Sequence, residues 1–307
     1  MSGSDTLRFG RYTVEISNRD KVLFPDAGIT KGDLVDYYRE IADTMVPYLE
    51  ERPVVMVRHP DGIEEDGFYQ KETPDYFPDW IGRVTVEKEG GTVTHVVCGN
   101  AATLVYLANQ AVITPHVWLS RTDRLHHPDK LIFDLDPPEG DFGAVLHGAR
   151  TIREFLIDLG LDPWVMTTGG RGLHVIVPLD RSAGFDTVRD FAHGVADELA
   201  DREPDRLTTE QRKEKRGGRL FLDYLRNSYA QTAVPPYAVR PRPGAPVACP
   251  LAWDELDDPD LSGDAYTVEN VFQRLGQMED PWKGMRRHAR SLSDPIDRLE
   301  EVRSGSG

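Results

Sequence analysis

Apolar residues along the chain recur at two spacings, one typical of helices and one typical of strands. In the first half, apolar positions behind the N-cap residue Thr30 predict an amphipathic helix that extends to Leu49. The pattern next predicts a hairpin across residues 84–97, turning at Gly90 and Gly91, and a mostly buried helix over residues 101–113. No internal repeat interrupts this order, so a solenoid is not expected.

The second half has a clearer order of elements. Its pattern predicts strand 131–135, helix 142–159, strand 164–168, a glycine turn over 169–172, strand 173–177, helix 186–200 and strand 219–224. This β-α-β-β-α-β order is the split βαβ motif, whose sheet has its helices on one face. We therefore predict an α+β fold, in which the strands at 131–135 and 219–224 are neighbours.

The same pattern suggests how the chain is organised into segments. We predict one domain over residues 1–303, made of an N-terminal α/β accessory half (1–130), a catalytic core (131–250) and a C-terminal extension (251–303) with one or two helices. Residues 304–307, Ser-Gly-Ser-Gly, are expected to be a tail.

Charge and composition narrow the class of protein. The formal net charge is −16, which argues against a general nucleic-acid binder, but Arg212–Arg219 holds five positive residues against one negative. Cys98 and Cys249 alone cannot form a disulfide framework, and no run of about 18 apolar residues predicts a membrane span. The N-terminus has no apolar segment of a secretory signal, so we expect a cytoplasmic protein.

Candidate chemistry begins with three carboxylates. Asp134 and Asp136 alternate with apolar residues in strand 131–135 and therefore share one face, where they repel each other unless a cation binds. Asp223, on the predicted neighbouring strand, is the third member. Three such oxygen donors suit a two-metal site for Mg²⁺ or Mn²⁺. The alternative for each residue is an ordinary turn or strand-end carboxylate.

A glycine-rich turn supplies the second group of candidates. Thr167–His174 reads Thr-Thr-Gly-Gly-Arg-Gly-Leu-His. Glycines let backbone N–H groups approach an anion, and Arg171 can donate two hydrogen bonds to phosphate oxygens. His174 alternates with core residues and should emerge on the face of the carboxylates. The alternative is a plain glycine hairpin with a structural histidine.

These segments resemble a known family. Phe133–Pro137, Gly169–His174, Phe221–Asp223 and Ala238–Arg240 are similar to the polymerase domain of bacterial ATP-dependent DNA ligase D, as are Asn18–Pro25 and Pro250–Leu256. That family belongs to the archaeo-eukaryotic primase superfamily and acts in non-homologous end joining. The similarity extends over nearly the whole chain and implies a primase-polymerase fold with an RRM-like catalytic core.

The resemblance also implies roles for individual residues. Asp134, Asp136 and Asp223 would be catalytic and hold two divalent ions, while the incoming nucleotide would contact Thr168, Gly170, Arg171, His174 and Arg240. DNA would contact Asn18, Lys21 and Lys31 through a 5′-phosphate, and Phe68, Tyr69, Lys71 and His116 near the template. Gln231 departs from relatives that carry lysine there, which leaves one phosphate contact open.

The implied function is template-directed addition of ribonucleotides or deoxyribonucleotides to 3′-hydroxyl ends at DNA gaps and breaks, with Mn²⁺ or Mg²⁺. The expected partners are DNA with a 5′-phosphate, nucleoside triphosphates, Ku and a ligase in trans, since the chain has no Lys-x-Asp-Gly ligase motif. The expected location is the nucleoid in the cytoplasm. Two alternatives stay open at this point: a non-catalytic module that bridges DNA ends, and an Asp-x-Asp glycosyltransferase.

Overall fold

The structure is a computed structural model, and it describes residues 5–305. The chain forms two compact units that do not follow its order strictly. The first unit contains residues up to Trp118, followed by Thr232–Ala248 and Tyr266–Arg274; the second contains Leu119–Gln231, Cys249–Ala265 and the segment from Leu275 onward. Two segments from the second half of the chain thus belong to the first unit, unlike the three consecutive segments predicted from the sequence.

In chain order the strands and helices are β1 (Asp5–Phe9), β2 (Tyr12–Ile16), β3 (Val22–Phe24), β4 (Ile29–Thr30), α1 (Lys31–Glu40), α2 (Ala42–Leu49), β5 (Pro53–Arg58), β6 (Phe68–Gln70), β7 (Gly82–Lys88), β8 (Gly91–Val97), α3 (Ala101–Asn109), β9 (Val112–Trp118), β10 (Lys130–Leu135), α4 (Phe142–Asp158), β11 (Trp164–Thr167), β12 (Leu173–Pro178), α5 (Phe185–Arg202), β13 (Leu207–Thr208), β14 (Leu220–Phe221), β15 (Thr232–Ala233), β16 (Pro250–Leu251), α6 (Val271–Gln277) and α7 (Ser293–Gly305). The mixed α+β class predicted from the sequence is confirmed. Within residues 5–305, no helix is both long and apolar enough to span a bilayer.

The first unit is built on an antiparallel sheet of order β15-β9-β5-β8-β7, with β6 added along one part of β5. The predicted hairpin is confirmed as β7 and β8, and the predicted helix after Thr30 is confirmed as α1 and α2, divided at Ile41. Thr30 accepts a hydrogen bond from the Asp33 N–H while Asp33 accepts one from the Thr30 N–H, which is a capping box.

One helix in this unit is shorter than predicted. α3 ends at Asn109, and residues Val112–Trp118 form strand β9 instead of continuing the helix to Ile113. Ala111, between the two elements, has a φ of 56°, which cannot continue a right-handed helix. An all-apolar run does not distinguish a buried helix from a buried strand by its spacing, so the boundary was misplaced.

The second unit contains the predicted split βαβ motif. Its sheet has the order β10-β12-β11-β16, and every pairing in it is antiparallel. β10 and β11, joined by α4, therefore run parallel to each other with β12 between them. α4 packs against β12 and β10, α5 packs against β10, and the C-terminal α7 packs against α5.

The predicted strand 219–224 requires a correction. Only Leu220–Phe221 is extended as β14, and it pairs in parallel with β13 in a separate two-stranded ladder. Beyond it the chain makes a single bridge to β10, between Asp223 and Asp134, and then enters a 3₁₀ turn at Leu225–Asn227. Asp223 is thus a neighbour of β10, as predicted, although the segment that carries it is not a regular strand.

Candidate active site

Asp134 is the one residue of β10 that is not buried, and its strand position sets it opposite Phe133, as predicted. Leu131, Phe133 and Leu135 are fully buried, whereas Asp134 is partly accessible. Asp136, just beyond the last residue of β10, is exposed. Residues two apart in an extended segment point to the same side, so both carboxylates lie on the face away from Phe133.

His174 stands beside Asp134 on the neighbouring strand. The register pairs Asp134 with His174 across β10 and β12, and the His174 Nε2 atom is 3.4 Å from Asp134 Oδ1. The predicted emergence of His174 on the face of the carboxylates is therefore confirmed. Its Nδ1 atom is buried and has no hydrogen-bond partner within residues 5–305, so the ring keeps one unused hydrogen-bonding position.

The other edge of β10 is completed by the segment that follows β14. The Asp134 N–H donates to the Asp223 carbonyl at 3.0 Å. One turn later, the buried Asn227 side chain accepts from the Ile132 N–H and donates to the Ile132 carbonyl, both at 2.8 Å. The Asn227 amide thus satisfies the backbone groups that an edge strand would otherwise pair, and it holds Asp223 next to Asp134.

Arg226 is a site residue that the sequence reasoning missed. Its Nε atom is 3.1 Å from Asp134 Oδ2, so His174 and Arg226 approach the two oxygens of the same carboxylate from opposite neighbours. The available signal was an arginine three residues after Asp223. A regular strand would have pointed Arg226 away from the carboxylates, which is why the predicted strand concealed it.

Burial and neighbouring charges shift the pKa values of the two adjacent carboxylates, Asp134 and Asp223, in opposite directions. Burial alone would raise the pKa of Asp134, but His174 and Arg226 outweigh it and hold that pKa well below its ordinary value. Burial raises the pKa of Asp223, and the negative charge of Asp134 raises it further. Asp134 also raises the pKa of Arg226 against the effect of that residue's own burial. The site therefore favours the arrival of positive charge near Asp223.

The carboxylates provide the hard oxygen donors that a divalent ion prefers. Burial, and then the negative charge of Asp134, oppose the ionisation of Asp223, and a bound cation would favour it. With the side chains as they stand, however, no three His, Cys, Asp or Glu residues in the described range converge as a ligand set. Arg226 and His174 already approach Asp134. The oxygen donors suit a divalent ion. Its binding to Asp134 requires that His174 or Arg226 move away from one of the two carboxylate oxygens.

The glycine-rich turn lies against the end of β10. Hydrogen bonds from Thr168 hold the turn in shape. The Thr168 N–H and hydroxyl both donate to the Gly172 carbonyl, and the hydroxyl oxygen also accepts from the Gly170 N–H at 3.3 Å. A Cβ at Gly172 would lie 1.9 Å from the Leu135 carbonyl oxygen, so only glycine allows this approach. The side chain of Arg171 is exposed at the tip. The turn is thus held directly beside the carboxylates.

The two basic segments, one around Arg240 and the other at Arg212–Arg219, belong to different units of the chain. Arg240 belongs to the first unit, where its N–H donates to the Pro246 carbonyl. In the basic loop of the second unit, Arg216 and Arg219 bond backbone carbonyls of the loop itself. Gln231 is exposed at the end of the first of the three segments that form this unit. The predicted roles of Arg240 and of the departure at Gln231 stay predictions.

The predicted 5′-phosphate residues lie together in the first unit. Asn18 has a φ of 50°, and its carbonyl accepts from the Lys21 N–H, while the Lys31 N–H donates to the Lys21 carbonyl at 2.7 Å. Lys31 is buried, with its Nζ bonded to Ser17 and to the Asn109 carbonyl. Burial, and then the charge of Lys21, lower the pKa of Lys31. Lys21 itself is paired with Asp61 at 2.7 Å.

The aromatic residues predicted to meet the template are at the surface of the same unit. Phe68 and Tyr69 are exposed on the short strand β6, and Lys71 follows them. The Tyr69 ring lies 6.1 Å from the ring of His116 on β9, measured between centroids. β6 and β9 both pair with β5, so the rings of Phe68, Tyr69 and His116 lie on strands that flank β5, and the roles of all four residues stay predictions.

The split βαβ sheet, the adjacent carboxylates of Asp134 and Asp223, His174 on β12 and the glycine-rich turn are the features expected of a nucleotidyltransferase domain of the primase-polymerase class. The model of the LigD primase-polymerase domain family matches residues 30–282. The chain belongs to this family. A non-catalytic bridging module and a glycosyltransferase are not favoured by that membership.

Individual relatives agree. The multifunctional non-homologous end joining DNA repair protein LigD of Mycobacterium tuberculosis (strain H37Rv) is 34% identical over 302 residues, which cover 95% of this chain and 39% of the relative. LigD of Mycolicibacterium smegmatis is 34% identical over 270 residues, or 87% of this chain and 35% of the relative. The chain thus spans less than half the length of these relatives. The solved polymerase domain of M. tuberculosis ligase D, in complex with DNA, matches with a TM-score of 0.84 at 32% identity, covering 90% of this chain and 99% of that one.

Proposed function

We propose that this chain is a template-directed nucleotidyltransferase that adds ribonucleotides or deoxyribonucleotides to 3′-hydroxyl ends at DNA gaps and breaks, in repair by non-homologous end joining. The observation that supports this most directly is the meeting of three segments at Asp134. Its backbone N–H donates to the Asp223 carbonyl on one side, and its side chain contacts His174 on the other. Two of the predicted metal ligands and one predicted phosphate ligand are neighbours at a single point.

In this proposal Asp134, Asp136 and Asp223 hold two divalent ions, Mn²⁺ or Mg²⁺. Bound there, such ions would activate the attacking hydroxyl and stabilise the leaving pyrophosphate. The protein's own contribution would be to orient the triphosphate. Thr168 shapes the turn, Arg171 at the exposed tip of the turn would bind phosphate oxygens, and Gly170 and His174 are proposed as further contacts. Arg240 is proposed as a further phosphate ligand.

DNA is proposed to bind through the first unit. Asn18, Lys21 and Lys31 would hold the 5′-phosphate of the downstream strand, and Phe68, Tyr69, Lys71 and His116 would contact the template. The position of the three residues supports this proposal, because the Lys21 N–H donates to the Asn18 carbonyl and the Lys31 N–H donates to the Lys21 carbonyl, which holds them in one short loop. Ku and an ATP-dependent ligase acting in trans are the proposed protein partners.

The test is extension of a 3′-end in a gapped duplex with a 5′-phosphate, comparing rNTPs with dNTPs and Mn²⁺ with Mg²⁺. We expect synthesis by the wild type and none by an Asp134→Ala, Asp136→Ala double variant. Asp158→Ala, which removes an exposed carboxylate from α4, is the matched control and should remain active. Equal synthesis by the double variant and the control would contradict the assignment of the site.

The 5′-phosphate site has its own test. A 5′-phosphate should tighten binding of the gapped duplex relative to a 5′-hydroxyl, and a Lys21→Gln, Lys31→Gln double variant should lose that preference. If the wild type binds both substrates with the same affinity, the proposed phosphate site is wrong.

A further inference from the structure

The segment Tyr237–Arg240, which ends at the proposed phosphate ligand Arg240, is fixed from two sides. On one side its backbone pairs with the returning chain. There the Tyr237 N–H donates to the Ala248 carbonyl at 2.6 Å, and the Arg240 N–H donates to the Pro246 carbonyl at 2.8 Å. This pairing is irregular, because Tyr237 has a φ of 66° and the segment belongs to none of the strands β1–β16.

On the other side, the segment is bonded by three buried hydroxyl groups. The Tyr37 hydroxyl donates to the Tyr237 carbonyl at 2.8 Å. The Thr114 hydroxyl donates to the Val239 carbonyl at 2.5 Å, and the Tyr38 hydroxyl accepts from the Val239 N–H at 3.1 Å. The three side chains come from α1 and β9 of the same unit, so both backbone groups of the residue before Arg240 are held by these two elements.

The hydroxyl of Tyr38 has two partners at once. Besides accepting from Val239, it donates to the Ile113 carbonyl at 2.5 Å, and the side chain is 1% exposed. Burial raises the pKa of this hydroxyl, against the smaller opposing effects of the Val239 N–H and of the Arg240 charge. The group therefore keeps its proton and both bonds at neutral pH. Without it, the Val239 N–H and the Ile113 carbonyl would lose a buried partner.

We propose that Tyr38 and Thr114 are positioning residues for nucleotide binding, because they fix the Val239 backbone and thereby aim Arg240 at the triphosphate. The inference rests on the proposed function of Arg240, and both residues act through it without contacting the nucleotide. An arginine that is held in place before the ligand arrives binds more tightly, since less conformational freedom is lost on binding. The hydroxyls supply that order from α1 and β9.

The experiment measures single-nucleotide extension of a gapped duplex across a series of rNTP concentrations, with Mn²⁺. A misdirected Arg240 loses part of a charge-assisted hydrogen bond, so Tyr38→Phe and Thr114→Val should each raise the KM for the nucleotide by about 5- to 50-fold. The kcat should change little, because the lost interaction contributes to binding of the ground state and the transition state alike. The affinity for the gapped duplex without nucleotide should stay as in the wild type.

A double variant shows whether Tyr38 acts through Arg240. In an Arg240→Gln background the guanidinium is already absent, so the added Tyr38→Phe change should leave the KM the same within about twofold. A hydroxyl that only stabilises the fold would not distinguish between the two backgrounds. Thr114→Val perturbs the same backbone from a different element, so the test does not depend on one variant.

Thr73→Val is the matched control. Thr73 is a buried threonine of the same unit, and its hydroxyl donates to the Thr94 carbonyl at 2.8 Å, away from Tyr237–Arg240. It should lower the urea midpoint as Thr114→Val does and leave the KM unchanged. The proposal is overturned by a wild-type KM in both Tyr38→Phe and Thr114→Val, by an equal rise in KM in Thr73→Val, or by a full effect of Tyr38→Phe in the Arg240→Gln background.

These outcomes differ from failure of the proposed function. If the wild type extends the gap and Arg240→Gln raises the KM while the hydroxyl variants do not, only the positioning role is wrong. If Arg240→Gln leaves the KM unchanged, the proposed phosphate ligand is wrong and this inference fails with it. If the wild type does not extend the gap at all, the proposed function itself is contradicted.

Discussion

Replacing Arg226 by glutamine tests the electrostatic arrangement around Asp134. The change removes the guanidinium that lies 3.1 Å from Asp134 Oδ2 and leaves the carboxylate with His174. The Asp134 side chain is 12% exposed and that of Arg226 is 43% exposed. Breaking a fully buried pair costs about 3–5 kcal/mol and a surface pair about 0–1 kcal/mol, so after allowance for solvent screening we expect a loss of about 1–2 kcal/mol in the free energy of unfolding.

The size of this loss should depend on pH. Since Asp134 has a folded-state pKa below its unfolded value, it stabilises the fold above the unfolded pKa of about 3.9, and this contribution disappears as pH falls towards the folded value. Without Arg226 the folded pKa lies closer to the unfolded one. The difference between wild type and variant should thus be full at neutral pH and shrink in the acid range.

The assay is urea unfolding of the metal-free protein, with EDTA present, at a series of pH values from neutral to acid. Arg226→Lys keeps a positive charge but lacks the planar guanidinium, so its free energy of unfolding should lie between those of the wild type and Arg226→Gln. Addition of Mn²⁺ should narrow the difference at neutral pH, because a bound ion can replace the lost positive charge. A stability difference that stays constant across the pH series would refute the pairing of Arg226 with Asp134.

Three further variants test neighbouring parts of the site. Asp223→Asn removes a carboxylate whose ionisation is opposed by burial and by Asp134, so the metal-free protein should be no less stable at neutral pH, while its thermal stabilisation by Mn²⁺ should vanish in a melting experiment; a retained Mn²⁺ shift would contradict the ligand role. Gly172→Ala should cost about 1–3 kcal/mol in urea unfolding and abolish extension, whereas Gly99→Ala, where a Cβ meets open space, should do neither. Asn227→Ala leaves two buried backbone groups unpaired and should cost about 3 kcal/mol or more by the same measurement; a loss below 1 kcal/mol would show that water or another residue completes the edge.

Much of the site followed from strand periodicity. The alternation in β10 placed Asp134 opposite the core residue Phe133, and the tight turn before β12 made β11 and β12 neighbours with His174 on the accessible face. These inferences need only the two-residue period of a strand and a short connection, both of which are local properties. For the same reason the hairpin of β7 and β8 and the cap at Thr30 were predictable.

What escaped prediction depends on contacts between residues far apart in sequence. Segments 232–248 and 266–274 return to the first unit, where Thr232 and Ala233 pair with β9, and their composition gives no sign of it. The contact between Arg58 and Tyr76 is equally invisible in the sequence, because it depends on the β5–β6 register that brings the segment after β6 back to Arg58. Periodicity assigns a face within one strand, and only the register connects faces of different strands.

The segment after β14 shows how one local departure from a regular strand builds the site. In a continued strand, residues 223, 225 and 227 would share a face and Arg226 would point to the opposite one. The 3₁₀ turn at Leu225–Asn227 removes this restriction and lets Arg226 reach the carboxylate of Asp134. Leaving the ladder would normally expose the β10 edge, and the side-chain amide of Asn227 prevents this by pairing both backbone groups of Ile132. Asn227 thus permits the turn, and the turn lets one short segment contact Asp134 twice: the Asp223 carbonyl accepts from the Asp134 N–H, and the Arg226 guanidinium reaches the Asp134 carboxylate.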